Sequence, residues 1–141
     1  KANYYGLIGS EANSVAPRAV PLSSMSPTIL VSPDGKERIV IGASGGPLII
    51  TSTLQVILNI LDFGMEPSQA NSLGRIHHQW VPEKLFVDDE ISKDVRDALE
   101  GKGHNLFPMP LNSSVQVVHC IDGSCMAASD PRKGGQPAGL Y

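Results

Sequence analysis

Short apolar runs alternate with turn-forming residues along much of the chain. The segments TILV (residues 28–31) and RIVIGA (residues 38–43) flank SPDGKE and predict two strands joined by a Pro-Asp-Gly turn. A second hairpin is predicted where Asp122-Gly123, a strong turn signal, separates SVQVVH from MAAS. Because these strands are almost continuously apolar, we expect a layered fold in which helices cover at least one face of a sheet.

The most apolar stretch of the chain is Leu48 to Phe63, LIITSTLQVILNILDF. It is interrupted by polar residues and is shorter than the roughly 20 apolar residues that a bilayer requires, which favours a buried helix over a membrane span. Gly64 follows as a helix stop. One stripe, with the spacing of three and four residues typical of a helix, is predicted to face the core, and its members are Ile50, Leu54, Ile57, Leu58, Leu61 and Met65.

The remaining segments predict shorter elements. EPSQANSLG predicts a short helix, and HHQWVPEKLFV an irregular stretch that leads into a strand. A second amphipathic helix is predicted from Asp89 to a closing Gly101. The first twenty residues, with a short turn at EANS, and the tail DPRKGGQPAGLY are predicted as loops.

The length and composition set the size of the fold. With 141 residues, 41% of them hydrophobic, the chain can form one core, so residues 1–141 are expected to be one domain or part of one. The pattern offers four or five strands and one dominant helix. Since that helix is apolar around more than one stripe, it needs partner surface that this chain does not supply.

Charge and cysteine content narrow the functional classes. Basic residues number 11 against 14 acidic ones, so the chain has no basic footprint and nucleic acid is not an expected partner. The opening KANYYGLIGS shows no signal peptide and no initiator Met, and Lys1 is therefore expected to be a processed or truncated end. Cys120 and Cys125 face each other across the second hairpin, where a disulfide and two free thiols are both compatible with the sequence; the pair slightly favours an oxidising compartment.

The segment GASGGPLII, residues 42–50, places two glycines between a strand and the apolar helix. Gly45 and Gly46 allow the backbone to turn with its amides pointing outward, and Pro47 suits the first helical position. Such a helix start can hold a phosphate, a carboxylate or the oxyanion of an acyl transfer. The segment lacks the usual phosphate-binding motifs, which argues against a phosphate site. The alternative to an anion site is that the two glycines only allow tight packing between the strand and the helix.

Other polar residues are weaker candidates for chemistry. Ser23, Ser24 and Ser26 lie in PLSSMSPTIL without a base or a strained G-x-S-x-G turn, so we expect them to hydrogen-bond local backbone or a bound polar group rather than to attack a substrate. The pair His77-His78 has no partner at a metal-ligand spacing, which favours a hydrogen-bonding role, and no metal or cofactor is predicted. The charges near the tail, Asp130 and Arg132, are expected at the surface or at an interface.

Several separated segments resemble one family. PLSSMSPTI, the glycine pair followed by IITSTLQVILNILDFGM, RIHHQW and ASDPRKGGQPAG occur in the order and spacing typical of γ-glutamyltranspeptidases. The resemblance extends over nearly all 141 residues and corresponds to the C-terminal part of the small subunit.

This resemblance implies a fold and a reaction. The fold is α+β, an N-terminal nucleophile hydrolase αββα sandwich of which this chain is a part. The reaction transfers the γ-glutamyl group of glutathione or a related donor to water, an amino acid or a peptide, through a threonine exposed by autocatalytic cleavage. Ser23 and Ser24 correspond to the serines that hold the donor's α-carboxylate. Gly45 and Gly46 correspond to the pair whose amides stabilise the oxyanion.

The chain departs from the family pattern in two ways. The glycine pair usually leads into Ser-Arg-Ile, whereas Pro47 and Leu48 follow here, which removes one N–H and one positive charge. In addition, Lys1 lies downstream of the family's threonine nucleophile and of an aspartate that binds the substrate amine, and the arginine for the α-carboxylate belongs to the large subunit. The rest of the small subunit and the large subunit are therefore expected partners, and the chain alone is expected to be inert.

Two other functions remain open. A glutaryl or cephalosporin-type acylase of the same superfamily would use the same oxyanion geometry, although the paired serines favour a donor with an amino-acid head group. A non-catalytic homologue would act as a binding or assembly subunit. The family resemblance also implies a periplasmic, secreted or outward-facing location.

Overall fold

A computed structural model describes residues 2–139, so Lys1, Leu140 and Tyr141, the outermost residues of the two predicted terminal loops, lie outside the described residues. The short turn predicted at EANS is a 3₁₀ turn, Glu11–Asn13. The described part of the chain forms seven strands and three α-helices: β1 (Thr28–Val31), β2 (Glu37–Ser44), α1 (Leu48–Leu61), α2 (Pro67–Ser72), β3 (Ile76–His77), β4 (Leu85–Val87), α3 (Lys93–Gly101), β5 (Leu106–Pro108), β6 (Ser114–Ile121) and β7 (Ser124–Ser129). The prediction of four or five strands includes β4, at the end of HHQWVPEKLFV, but it is too low because β3 and β5 are too short to show a period of two.

The strands form two sheets. Antiparallel strands in the order β1-β2-β6-β7 make the larger sheet, and β3-β4-β5 make a smaller one in which β4 and β5 run parallel and α3 forms the crossover. Helices α1 and α2 pack on one face of the larger sheet. Its core consists of fully buried aliphatic side chains, among them Ile39, Ile41, Val56, Val115 and Val117.

Turn residues fix the register of both hairpins of the larger sheet. Asp122 and Gly123 both have positive φ, 49° and 86°, which is the conformation required by the two-residue type I′ turn between β6 and β7. Cys120 and Cys125 are paired in that hairpin and are joined by a disulfide, so of the two alternatives left open by the sequence the structure contains the bridge. In the β1–β2 turn, Gly35 also has positive φ, 72°.

The predicted orientation of α1 is wrong. The stripe led by Ile50, Leu54 and Leu61 is about half exposed, and the helix packs on the sheet through the neighbouring stripe that includes Ser52 and Val56. Because α1 is apolar around most of its circumference, spacing alone does not identify the inner face, and small hydroxyl residues let the helix approach the sheet closely. Two members of the predicted stripe, Ile57 and Met65, do pack against the core. The exposed stripe is consistent with the expected need for partner surface.

The second face of the larger sheet is also apolar. The register aligns Ile29, Val40, Val118 and Ala127 in a row across all four strands, on the face away from α1. All four of these residues are exposed in residues 2–139. A sheet that is apolar on both faces is typical of a layered sandwich. None of the helices in residues 2–139 has the length and hydropathy needed to span a membrane.

The expectation of surface charges near the tail is wrong for Asp130. Its side chain is 0% exposed and lies 2.7 Å from the guanidinium of Arg75, which is 2% exposed. Arg132, mostly buried, donates to the carboxylate of Asp88 at 2.7 Å and so links the tail to the smaller sheet. The burial of these charges could not be predicted because their partners are far away in sequence.

The second amphipathic helix of the sequence analysis is α3, and it begins at Lys93 rather than Asp89. Residues 88–91 instead form a turn, in which the Ile91 N–H donates to the Asp88 carbonyl.

Candidate active site

The glycine turn connects β2 to α1 and is held in conformations that favour glycine. Gly45 has φ 139° and Gly46 has φ 60°, and Pro47 precedes the first helical residue as the N-cap rather than occupying the first helical position. The carbonyls of Gly45 and Gly46 accept the first amides of α1, from Leu48 and Ile49. Neither glycine N–H donates to another residue in the range 2–139. Two amides at a helix start are therefore free to bind an oxyanion or another anion.

Close contacts with two residues support the turn. A Cβ on Gly45 would lie 2.9 Å from Cα of Ser113, and a Cβ on Gly46 would lie 2.9 Å from the ring edge of Tyr5. The Ser113 hydroxyl donates to the carbonyl of Ser44, the last residue of β2, at 3.0 Å. Backbone from the start of β6 thus packs directly against Gly45, and only a residue without a side chain fits there.

The serines precede β1 and hydrogen-bond nearby backbone, as expected. The Ser23 hydroxyl accepts from Met25 N–H at 3.1 Å, and the Ser26 hydroxyl donates to the Ser24 carbonyl at 3.1 Å. The proton of the Ser23 hydroxyl remains able to donate to a ligand. Ser23 is exposed and Ser24 half-buried, so both hydroxyls can reach a molecule bound at the surface.

One cavity of about 570 Å³, the serine cavity, brings predicted site residues together. Ser23, Ser24 and Gly46 all line it, with Tyr5 and Trp80 on its other walls. Gly45 instead lines a neighbouring cavity that shares Tyr5 with the first. Residues that are more than 20 positions apart in sequence therefore meet at one concave surface, the arrangement expected of a binding site.

His77 and His78 both act through hydrogen bonds, which confirms that prediction. The Nδ1 of His77 lies 2.8 Å from the Thr51 hydroxyl and its Nε2 lies 3.0 Å from Gln79 Oε1, while His78 Nδ1 accepts the Trp80 N–H at 3.1 Å. Across residues 2–139, no group of three or more His, Cys, Asp or Glu side chains is arranged to hold a metal ion.

The buried ion pair lies behind the turn and supports it. Arg75 donates to the Ser113 carbonyl at 3.0 Å, and the carboxylate of Asp130 accepts the Val115 N–H at 3.0 Å. Burial by itself would raise the pKa of Asp130, but hydrogen bonds from the Val115 and Arg132 amides and from Arg75 outweigh it and lower the pKa below its ordinary value. Burial lowers the pKa of Arg75, and the neighbouring carboxylate opposes that effect.

Comparison with known proteins identifies the family. The sequence model of the family described as "Gamma-glutamyltranspeptidase" matches residues 1–140. The chain belongs to the γ-glutamyltranspeptidase family. A curated relative named "Glutathione hydrolase proenzyme", from Escherichia coli, is 44% identical over 131 residues, which cover 92% of this chain and 22% of the relative. The chain spans about a fifth of the length of such relatives, consistent with a larger precursor.

Solved structures extend the family match to three dimensions. A Helicobacter pylori γ-glutamyltranspeptidase mutant superposes with a TM-score of 0.88 at 36% identity, covering 94% of this chain and 74% of that one. A cephalosporin acylase from Bacillus halodurans is more distant, with a TM-score of 0.65 at 25% identity over 72% of this chain and 20% of that one. These likenesses confirm the expected α+β fold, an N-terminal nucleophile hydrolase sandwich of which this chain is a part.

Several residues at the candidate site could not be predicted from the sequence. Tyr5 packs on Gly46, Ser113 packs on Gly45, and the side chain of Trp80, 73% exposed with φ 73°, lines the serine cavity. Gln79 joins two of these segments, because its amide nitrogen donates to the Tyr5 carbonyl at 2.9 Å. Gln79 and Trp80 lie in RIHHQW, which is one of the segments that carry the family resemblance. Tyr5 and Ser113 matter through contacts with residues distant in sequence, and no local sequence pattern marks them.

Proposed function

We propose that this chain is the C-terminal portion of a γ-glutamyltranspeptidase small subunit, and that the complete enzyme transfers or hydrolyses the γ-glutamyl group of glutathione and related donors. The observation that supports this most directly is the serine cavity, where Ser23 and Ser24 meet the glycine turn. The serines would hold the α-carboxylate of the donor. The reacting carbonyl would then lie at the turn.

The chemistry divides between this chain and the rest of the precursor. A threonine supplied by the preceding part of the precursor attacks the γ-carbonyl carbon, and its own amine accepts the hydroxyl proton. The tetrahedral oxyanion accepts hydrogen bonds from Gly45 and Gly46 N–H, assisted by the positive end of the α1 dipole. The C–N bond then breaks as the proton passes to the leaving amine. Water or an acceptor amine releases the γ-glutamyl group from the acyl-enzyme.

The partners are the remainder of the small subunit and the large subunit of the same precursor. Two surfaces of this chain suit them: the exposed apolar stripe of α1 and the apolar outer row of the larger sheet. Burial of such surfaces is the main driving force of stable association within a folded enzyme.

The function is tested by releasing the amine from a γ-glutamyl anilide. The complete protein should turn the anilide over, and residues 1–141 alone should not, because the nucleophile is absent. In the complete protein, Ser24→Ala should raise KM for the donor about tenfold or more with a smaller change in kcat, since a lost hydrogen bond to a charged group costs about 1.5–3 kcal/mol. Robust turnover by residues 1–141 alone would refute the assignment.

A second candidate, a glutaryl or cephalosporin-type acylase, has support from the structural likeness to the Bacillus halodurans enzyme. Competition between glutathione and a glutaryl amide for the complete protein decides between the two reactions. A non-catalytic assembly subunit is the third possibility, and it requires that no threonine occurs at a cleavage junction upstream. Inhibition by glutathione together with anilide release would exclude both alternatives.

We further propose that the protein works in the periplasm or outside the cell. The disulfide between Cys120 and Cys125 supports this location, because such bonds form and persist in oxidising compartments. In protein isolated from its native host under thiol-blocking conditions, we expect both cysteines to be oxidised. Mass spectrometry after differential alkylation measures this directly, and two alkylated free thiols would argue for a reducing compartment.

A further inference from the structure

A second cavity adjoins the serine cavity at the glycine turn. It has a volume of about 520 Å³, Gly45 lines it, and Tyr5, Pro47 and Gln79 line both cavities. A molecule whose reacting carbonyl lies at the turn therefore has access to both spaces. We call the second space the aromatic cavity.

The walls of the aromatic cavity are mainly apolar and carry no acidic or permanently cationic side chain. Half of its lining consists of Tyr4, Leu48, Pro82, Phe86, Met109 and Leu111. His77 also contributes, but both of its ring nitrogens are engaged by Thr51 and Gln79, and its ring stacks on Phe86 with centroids 6.0 Å apart. The amides of Gln79 and Asn112 also line it, so the cavity presents mainly aromatic and aliphatic surface with a few uncharged polar groups.

Phe86 is held from both sides, which gives the cavity a fixed wall. The ring of Phe107 meets it edge-on at 5.7 Å, opposite to the stacked His77. Aromatic pairs of this kind favour defined geometries, so Phe86 offers a pre-organised surface for another apolar group.

We propose that the aromatic cavity binds the apolar or aromatic side chain of the acceptor amino acid or peptide. This inference rests on the proposed function. With the donor's α-carboxylate at Ser23 and Ser24 and its carbonyl at the glycine turn, the amine that attacks the acyl group approaches away from the serines. The aromatic cavity is the adjoining space that shares the turn, and its uncharged walls favour phenylalanine-like over acidic or small acceptors.

The test compares acceptors on the complete protein. With a γ-glutamyl anilide as donor, transfer to phenylalanine amide and to glycine amide is measured as kcat/KM for each acceptor. We expect phenylalanine amide to be favoured at least about tenfold, the discrimination typical of an apolar pocket. Leu48→Asp, which places a charge in the wall, should remove most of that preference, whereas Leu48→Met should keep it.

A matched control separates the effect of a charge in the cavity wall from the general effect of adding a charge to the protein. Val95 lies on α3, is partly exposed and is absent from the lining of both cavities, so Val95→Asp should leave the acceptor preference unchanged. Equal use of the two acceptors by the unaltered protein, or a preference that survives Leu48→Asp, would overturn the inference while the proposed function stands. Complete absence of anilide release would overturn the proposed function. In that case saturation-transfer NMR with the two amides on the unaltered protein tests whether the aromatic cavity prefers the aromatic amide. Equal signals from both amides would refute the inference.

Discussion

Replacing Gly45 with alanine is expected to lower kcat of the complete enzyme by about a hundredfold or more. The new Cβ would lie 2.9 Å from the Cα of Ser113, which is backbone and cannot rotate away, and the φ of 139° is disfavoured for any residue with a side chain. The turn must therefore shift, and its amides move away from the oxyanion. Loss of one oxyanion donor typically costs a factor of 10² to 10³ in kcat.

Gly46 provides an internal comparison on the same turn. Its Cβ would meet the ring edge of Tyr5 at 2.9 Å, but that ring is 53% exposed and can move. The φ of 60° costs a non-glycine residue about 1–2 kcal/mol. We therefore expect Gly46→Ala to lower kcat less than Gly45→Ala does.

Gly101, at the end of α3, has open space around it and serves as the matched control, with unchanged kcat expected for Gly101→Ala. Steady-state kinetics with a γ-glutamyl anilide, together with thermal unfolding to verify folding, measures all three variants. If Gly45→Ala raises KM while kcat is retained, the turn positions the donor and does not stabilise the oxyanion.

The features that could be predicted from sequence are those that local chemistry enforces. Asp122-Gly123 specifies a hairpin because a two-residue turn needs positive φ at both positions, and Gly45-Gly46 specifies a turn for the same reason. For both turns the information lies within a few consecutive residues. The role of Ser23 and Ser24 instead follows from a family resemblance spread over several separated segments, and it stays a prediction.

The features that could not be predicted depend on contacts between distant segments. The inner face of α1 could not be predicted from spacing, because the exposed stripe is the more apolar one and the buried stripe contains Ser52 and Thr53 beside Val56. Asp130 resembles a surface residue in a polar tail, and its burial depends on Arg75, 55 positions away. Ser113 supports the turn because its backbone packs against Gly45, a contact that the sequence around Ser113 does not indicate.

The second large effect is expected from Asp130→Asn in the complete protein. The substitution leaves the guanidinium of Arg75 buried without its counter-charge, and removing one partner of a buried ion pair typically lowers the free energy of unfolding by about 3–5 kcal/mol. Because Arg75 also donates to the Ser113 carbonyl, the segment that packs on Gly45 should loosen, and kcat should fall together with stability.

Acid titration gives this prediction a second readout. The pKa of Asp130 is lowered in the folded state, so its contribution to stability is present at pH values above the ordinary carboxyl pKa near 3.8 and is lost as the pH falls through the lowered value. The unaltered protein should therefore lose stability steeply below about pH 4. The Asp130→Asn protein, which lacks this buried carboxylate, should be less stable at neutral pH and should show a shallower decline in acid.

The exposed pair of Lys93 and Asp97 on α3 supplies the control, because solvent screens such ion pairs and their contribution to stability is small. Asp97→Asn should leave the midpoint of thermal unfolding almost unchanged at every pH, while Asp130→Asn lowers it most at neutral pH. Calorimetry or circular dichroism between pH 3 and pH 8 separates the two. Equal midpoints for the Asp130→Asn and unaltered proteins at pH 7 would mean that the Arg75 charge finds other compensation, and that the tail does not stabilise the glycine turn through Asp130.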